Sequence, residues 1–225
     1  MAMREFARIL ETAVLHKGSR EAVESNLPLV KNAQQLTDEP DSFYLSTMTR
    51  RIFQAGLKHS MVDDRWPNFE QAFHQFDVNR LAMMSDDELD AHMTNSDLIR
   101  HLGKMKSIRL NAAMILATSR EHGGFGRFIA EWPESDIIGL WQWLKKHGNQ
   151  MGGMSGSRFL RLAGKDTFLL TNDVNAVLKS MDIIDKPPTA KRDLVRVQEA
   201  FNVWREQSGR PLAEISRIIS FTVNS

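Results

Sequence analysis

An all-α fold is what this sequence predicts, on three observations. Apolar residues recur at intervals of three and four along most of the chain. Helix-starting and helix-stopping residues fall at the ends of those stretches. Strand-like alternation is absent apart from the short run Thr167–Leu170, which is expected to be irregular.

The elements follow in order. Phe6, Ile9, Leu10, Ala13 and Val14 share one face of a first helix, which Lys17-Gly18 ends. Lys31 to Asp41 is polar and predicts a connector. Leu45, Met48, Ile52, Phe53 and Leu57 form the apolar stripe of a second helix, and Pro67 opens a short one carrying Phe69, Ala72, Phe73 and Phe76. Ser85-Asp86-Asp87-Glu88 has the spacing of a capping box. The longest predicted helix runs from Asp97 to Glu121, with Leu98, Leu102, Met105, Ile108, Ala112 and Ile115 on one face, and stops at Gly123-Gly124. Further helices are expected at 135–146, 157–163, 174–181, 189–207 and 212–221, giving about ten in all.

Composition narrows the functional classes. A length of 225 residues suits one compact domain or two small lobes. No run approaches the length of an apolar membrane span. Met1 to Leu10 carries Arg4, Glu5 and Arg8 in an amphipathic pattern with no apolar signal core after it, so a cytoplasmic location, at most nucleoid-associated, is expected. The absence of cysteine excludes disulfides, thiolate zinc sites, iron–sulfur clusters and a cysteine nucleophile. A net charge of +1 means that any nucleic-acid contact must come from local patches. The basic run Arg100, His101, Lys104, Lys106 and Arg109, and the acidic run Asp86, Asp87, Glu88 and Asp90 before it, are read as solvated helix faces.

The chemically informative segment starts at Trp141. A helix ending at His147-Gly148 is followed by Met151-Gly152-Gly153-Met154-Ser155-Gly156-Ser157-Arg158 and then by the helical Phe159 to Ala163. Glycines let such a turn reach positive φ and approach another molecule closely. The amides opening the next helix form an anion site. Gly152, Gly153, Ser155, Gly156, Ser157 and Arg158 are therefore candidate contacts to a DNA phosphate. An ordinary glycine turn between packed helices is the alternative. Beyond it, Gly164-Lys165-Asp166-Thr167-Phe168-Leu169-Leu170-Thr171-Asn172-Asp173 leads into another helix. Hairpin and continuation together resemble the helix-hairpin-helix, loop and aspartate signature of DNA glycosylases. That resemblance makes Asp173 the candidate catalytic carboxylate, with Asp166 second. Simple capping of the helix at Val174 is the structural alternative for Asp173.

A second resemblance covers Phe43 to Ala113. Gln54-Ala55-Gly56-Leu57, Phe73-His74-Gln75-Phe76-Asp77, Ile99-Arg100-His101, Gly103-Lys104 and Asn111-Ala112 resemble the 3-methyladenine DNA glycosylase I family. The resemblance implies a two-lobed, all-α helix-hairpin-helix glycosylase fold with a cleft between the lobes. It implies a single glycosylase domain over 1–225, with a central lobe at about 37–170 holding the hairpin at 148–163 and a second lobe of about 1–36 plus 171–225. The activity implied is base-excision repair: flipping a damaged base of double-stranded DNA, an alkylated purine such as 3-methyladenine, and hydrolysing its N-glycosidic bond. Gln54, Gly56, Leu57 and Lys104 become DNA contacts, with Leu57 as the wedge that fills the vacated stack. Leu57 as the last core residue of its helix is the alternative.

The sequence departs from that family in three places. The family's zinc site needs cysteine, and none is present. Its pocket glutamate is replaced by Arg51, behind Arg50, and its stacking tryptophan by His59. Tyr44, Arg51, His59 and Trp66 are the candidate base pocket, while Phe43, Trp141 and Trp143 could equally be pocket walls or core. Ser157 and Arg158 stand where bifunctional glycosylases carry a lysine, so hydrolysis without strand cleavage is expected. No cofactor is expected, although hairpin carbonyls can hold a monovalent cation. The chain is expected as a monomer with no membrane partner. A non-catalytic DNA-binding protein and a helical interaction module are the competing readings.

Overall fold

The computed structural model describes residues 5–223, so Arg4 of the N-terminal pattern lies outside the described residues. Within them the fold is all helical, as predicted, with fifteen α-helices rather than about ten. These are α1 (Phe6–Lys17), α2 (Arg20–Glu24), α3 (Ala33–Asp38), α4 (Asp41–Gln54), α5 (His59–Asp64), α6 (Trp66–Ala72), α7 (Val78–Ala82) and α8 (Asp86–Thr94). They continue as α9 (Leu102–His122), α10 (Phe125–Glu131), α11 (Ile137–His147), α12 (Ser155–Ala163), α13 (Asn172–Ser180), α14 (Lys191–Ser208) and α15 (Leu212–Ser220). The surplus comes from short helices with too few apolar positions to announce a period. One of them, α3, lies in the supposed connector, where Asn32 and Gln35 form a capping box. The longest helix begins at Leu102, not Asp97, because extended His101 is its N-cap and accepts the Lys104 amide on its ring.

The chain divides into two compact units. One comprises 31–132 and 141–165, and α4 is its axis: Tyr44, Leu45, Met48, Ile52 and Phe53 are fully buried, and the helix touches α5, α7, α9, α10 and α12. Beside it Trp66 stacks on Phe69 at 5.1 Å and on Phe76 at 5.5 Å, and Phe53 meets Phe69 edge-on at 4.8 Å. The acidic run is exposed, as expected, and so is most of the basic run, with Lys104 and Arg109 as the exceptions. Lys104 is buried, and Arg109 pairs with Asp86 at 2.8 Å while donating to Met84 O at 3.0 Å.

The other unit comprises 1–30, 133–140 and 166–225. Helices α1, α13 and α14 pack on α15, and Phe201 stacks on Phe168 at 4.1 Å and meets Trp204 edge-on. Thr167–Leu170 is irregular, as expected. Gln198 pins the start of α11, accepting the Ile138 amide at 3.2 Å and donating to Glu134 O. Helix α11 contributes Ile137–Leu140 to this unit and Trp141–His147 to the other.

Candidate active site

The turn after α4 is built by polar groups that look inward. Gly56 holds φ +80°, a conformation side chains rarely adopt, and stands exposed with open space where a Cβ would be. Lys104, from α9, donates to Ala55 O at 2.7 Å and to Phe53 O at 3.1 Å, satisfying carbonyls that the end of α4 leaves open. Gln54 donates to Asp63 Oδ1 at 2.9 Å, and Arg50 holds the same oxygen at 2.9 Å, which fixes α5 against α4. The Arg50 hydrogen bond is the main reason that the Asp63 carboxyl lies below its ordinary range. Leu57 follows, half-buried. Lys104 and Gln54 were expected to reach DNA. Both are buried with their polar atoms engaged, so they support the turn, and Gly56 and Leu57 are what it presents.

The hairpin has a similar division of labour. Gly152 and Gly153 are exposed, Gly153 at φ +58°, and α12 starts at Ser155 with no side-chain cap on its first amides. Ser155 is half-buried. Gly156 and Ser157 are buried, and the Ser157 hydroxyl donates to Met154 O at 3.2 Å. The side chain of Ser157 therefore packs inside the hairpin, and what these two residues offer at the start of α12 is their backbone amides. Asn111 of α9 grips the loop by its backbone, accepting the Asn149 amide at 2.7 Å and donating to Asn149 O at 3.1 Å. Sequence reasoning matched Asn111 to the family without giving it this role.

The four base-pocket candidates stand in different settings. Tyr44 is fully buried and its hydroxyl donates to Leu36 O at 2.6 Å, while burial pushes the phenol above its usual range. No polar tip is left to face a ligand. Trp66 belongs to the phenylalanine stack and donates its indole N–H to Ser46 at 3.1 Å. Both are core residues. His59 is exposed at the start of α5. Arg51 differs from all of these. It is only 6% exposed, and its Nε and Nη1 have no hydrogen-bond partner. Burial first, and then the charge of Arg158 on α12, lower its hold on a proton.

In the second unit Asp173 lies in the first turn of α13. It does not cap the helix; Thr171 does, accepting the Val174 amide at 3.3 Å. Asp173 is half-buried, forms no hydrogen bond or ion pair among the described residues, and lines an open depression of about 330 Å³ with His16, Lys17, Arg217, Ser220, Phe221 and Val223. Asp166, the second candidate, is buried and accepts the Leu212 and Ala213 amides at 3.0 and 2.8 Å. It is the N-terminal anchor of α15, with both carboxylate oxygens engaged. No cluster of three or more metal-ligating side chains occurs among the described residues, and none of their helices is long and apolar enough to cross a membrane.

Comparison with known proteins agrees with this architecture. The profile of the family described as methyladenine glycosylase matches residues 34–150, just over half of the chain. The DNA-3-methyladenine glycosylase of Haemophilus influenzae is 41% identical over 76 residues, 34% of this chain and 41% of that protein. DNA-3-methyladenine glycosylase 1 of Escherichia coli is 32% identical over the same shares. The chain thus spans about two-fifths of the length of these curated relatives. Among solved structures, 3-methyladenine DNA glycosylase I from Staphylococcus aureus aligns over 58% of this chain and 82% of its own at TM-score 0.50 and 20% identity. The 8-oxoguanine DNA glycosylase of Thermotoga maritima aligns over 96% and 95% at TM-score 0.53 and 13% identity. At these identities the likeness establishes the fold, and the family match establishes kinship. The chain belongs to the methyladenine glycosylase family.

Proposed function

We propose that the protein is a DNA base-excision glycosylase that extrudes a damaged nucleotide from double-stranded DNA and hydrolyses its N-glycosidic bond. The observation that carries the reading is Asp173, an unengaged carboxylate at the start of α13 in an open depression. A carboxylate so placed stabilises the positive charge that develops on the sugar and takes a proton from the attacking water. The bond from C1′ to the base nitrogen breaks with its electron pair on the base, and the water oxygen bonds to C1′. Leu57 is the proposed wedge, carried by exposed Gly56 on a turn braced from below. Gly152, Gly153, Ser155 and the uncapped amides of α12 are the proposed phosphate seat. Arg158 offers no amine for a Schiff base, which supports hydrolysis without strand cleavage. No cofactor is required for that reaction. A cytoplasmic monomer acting on duplex DNA is the setting in which we place it. The relatives' names make 3-methyladenine the first lesion to try.

The test is base release by the full chain from duplexes carrying methylated purines, uracil, hypoxanthine or oxidised guanine, read by chromatography. Release of at least one base is expected. DNA binding with no release from any duplex would favour a non-catalytic DNA-binding protein, a reading that the core positions of Tyr44 and Trp66 make concrete.

A further inference from the structure

Arg51 is an anomaly in energetic terms. A guanidinium taken out of water normally recovers its lost hydration through a carboxylate or carbonyls. Arg51 is 6% exposed, and Nε and Nη1 bond to nothing. Its charged neighbours worsen the position. Arg158, half-buried on α12, has no side-chain hydrogen bond or ion pair among the described residues. Lys104, on α9, is held on backbone carbonyls and is itself disfavoured as a cation by burial and then by Arg51. No carboxylate is among the charges acting on Arg51 or Lys104. Three cations on α4, α9 and α12 therefore converge without an acid.

We infer that Arg51 sets the lesion class: the base site takes an uncharged 6-oxopurine, whose O6 and N7 acceptors meet the guanidinium, in preference to a purine carrying positive charge. This rests on the glycosylase reading above and departs from the lesion in the relatives' names. Two physical arguments support it. The planar fork of an arginine matches the paired acceptors of a 6-oxopurine edge, and it offers donors only. A methylated, cationic purine brings charge of the wrong sign into a field with no acid to offset it.

A cationic purine leaves as a neutral molecule and needs no electrostatic help. An uncharged purine leaves with the electron pair of the C1′–N9 bond, so it becomes an anion until it takes a proton from water. A fixed guanidinium at O6 and N7 stabilises that developing charge. The oxygen of the attacking water bonds to C1′ and its proton ends on the departing purine, so the atoms balance without another reactant. Arg51 thus has a use that a cationic leaving group would not give it.

The experiment is single-turnover base release by the full chain from a duplex with hypoxanthine opposite thymine and from dimethyl-sulfate-treated DNA, which supplies 3-methyladenine and 7-methylguanine. Hypoxanthine should leave at least about tenfold faster than either methylated purine. Arg51→Met should slow hypoxanthine release roughly ten- to a hundredfold while leaving the melting temperature unchanged or higher, because an uncompensated buried charge is gone. Faster release of the methylated purines by the wild type would overturn the inference, as would an unchanged hypoxanthine rate in Arg51→Met. The wild-type preference alone decides the matter should the variant fail to fold. Release of no base from any duplex is a different failure, because it removes the glycosylase reading and the inference with it.

Discussion

Asn111 and Asn149 exchange two hydrogen bonds, the side chain of the first closing on the backbone of the second at 2.7 and 3.1 Å. Asn111 is fully buried on α9, and Asn149 opens the loop that leads to Gly152 and Gly153. The longest helix of the unit therefore sets the position of the hairpin. Asn111→Ala leaves an amide and a carbonyl without partners and should cost about 2–4 kcal/mol of stability. It should also weaken binding to undamaged duplex DNA, measured by fluorescence anisotropy. Unchanged affinity and stability would show that the loop holds its shape without the clamp.

Leu57 tests the other presented element. Leu57→Ala should leave the fold nearly intact, since the residue is only half-buried, yet reduce affinity for a duplex with an abasic-site analogue by about tenfold. Lys104→Met gives the contrast. It removes the brace under Ala55 and should lower the melting temperature as well as the affinity. Equal affinity of wild type and Leu57→Ala would rule out the wedge.

Asp166 and Asp173 separate a structural carboxylate from a chemical one. Asp166→Ala strips two backbone amides of their acceptor at the start of α15 and should cost about 1–2 kcal/mol. Base release per folded molecule should be unaffected. A fall in release without a fall in stability would return Asp166 to the active site.

Acid should loosen the α4–α5 corner in a defined direction. Arg50, through its hydrogen bond, holds the Asp63 carboxyl below the ordinary value of 3.8. A depressed carboxyl contributes stability above that value and loses it as pH falls through the lowered one. The melting-temperature gap between wild type and Arg50→Met should therefore be full near neutrality and narrow below about pH 4. A gap independent of pH would mean that the pair contributes no charge-dependent stability.

Much of the fold could be read from spacing and caps. Gly18 and Gly123 end their helices in the left-handed conformation, and Ser85 with Glu88 forms the capping box its spacing announced. The same signal at Asn32 and Gln35 was passed over because α3 buries only Leu36. For the site, residue type was legible and direction was not. Lys104, Gln54 and Ser157 are polar residues of motifs that suggest ligand contact, yet each turns its polar atoms to a neighbouring group inside its own unit. A helical period locates a face only to within a residue or so, and a long side chain can reverse its assignment by reaching inward. Arg51 is named by its place in the motif, but its burial by the packing of α4 against α9 and α12 was not legible in the sequence.

Base release by Asp173→Asn tests the central claim most directly. The variant keeps the size of the side chain and leaves the Thr171 cap untouched, so it should fold and bind duplex DNA like the wild type. Measured under single-turnover conditions on the duplex that the wild type processes best, its rate of base release should fall by about a hundredfold or more. A rate within about twofold of wild type would contradict the assignment of Asp173, and with it the catalytic reading of this site.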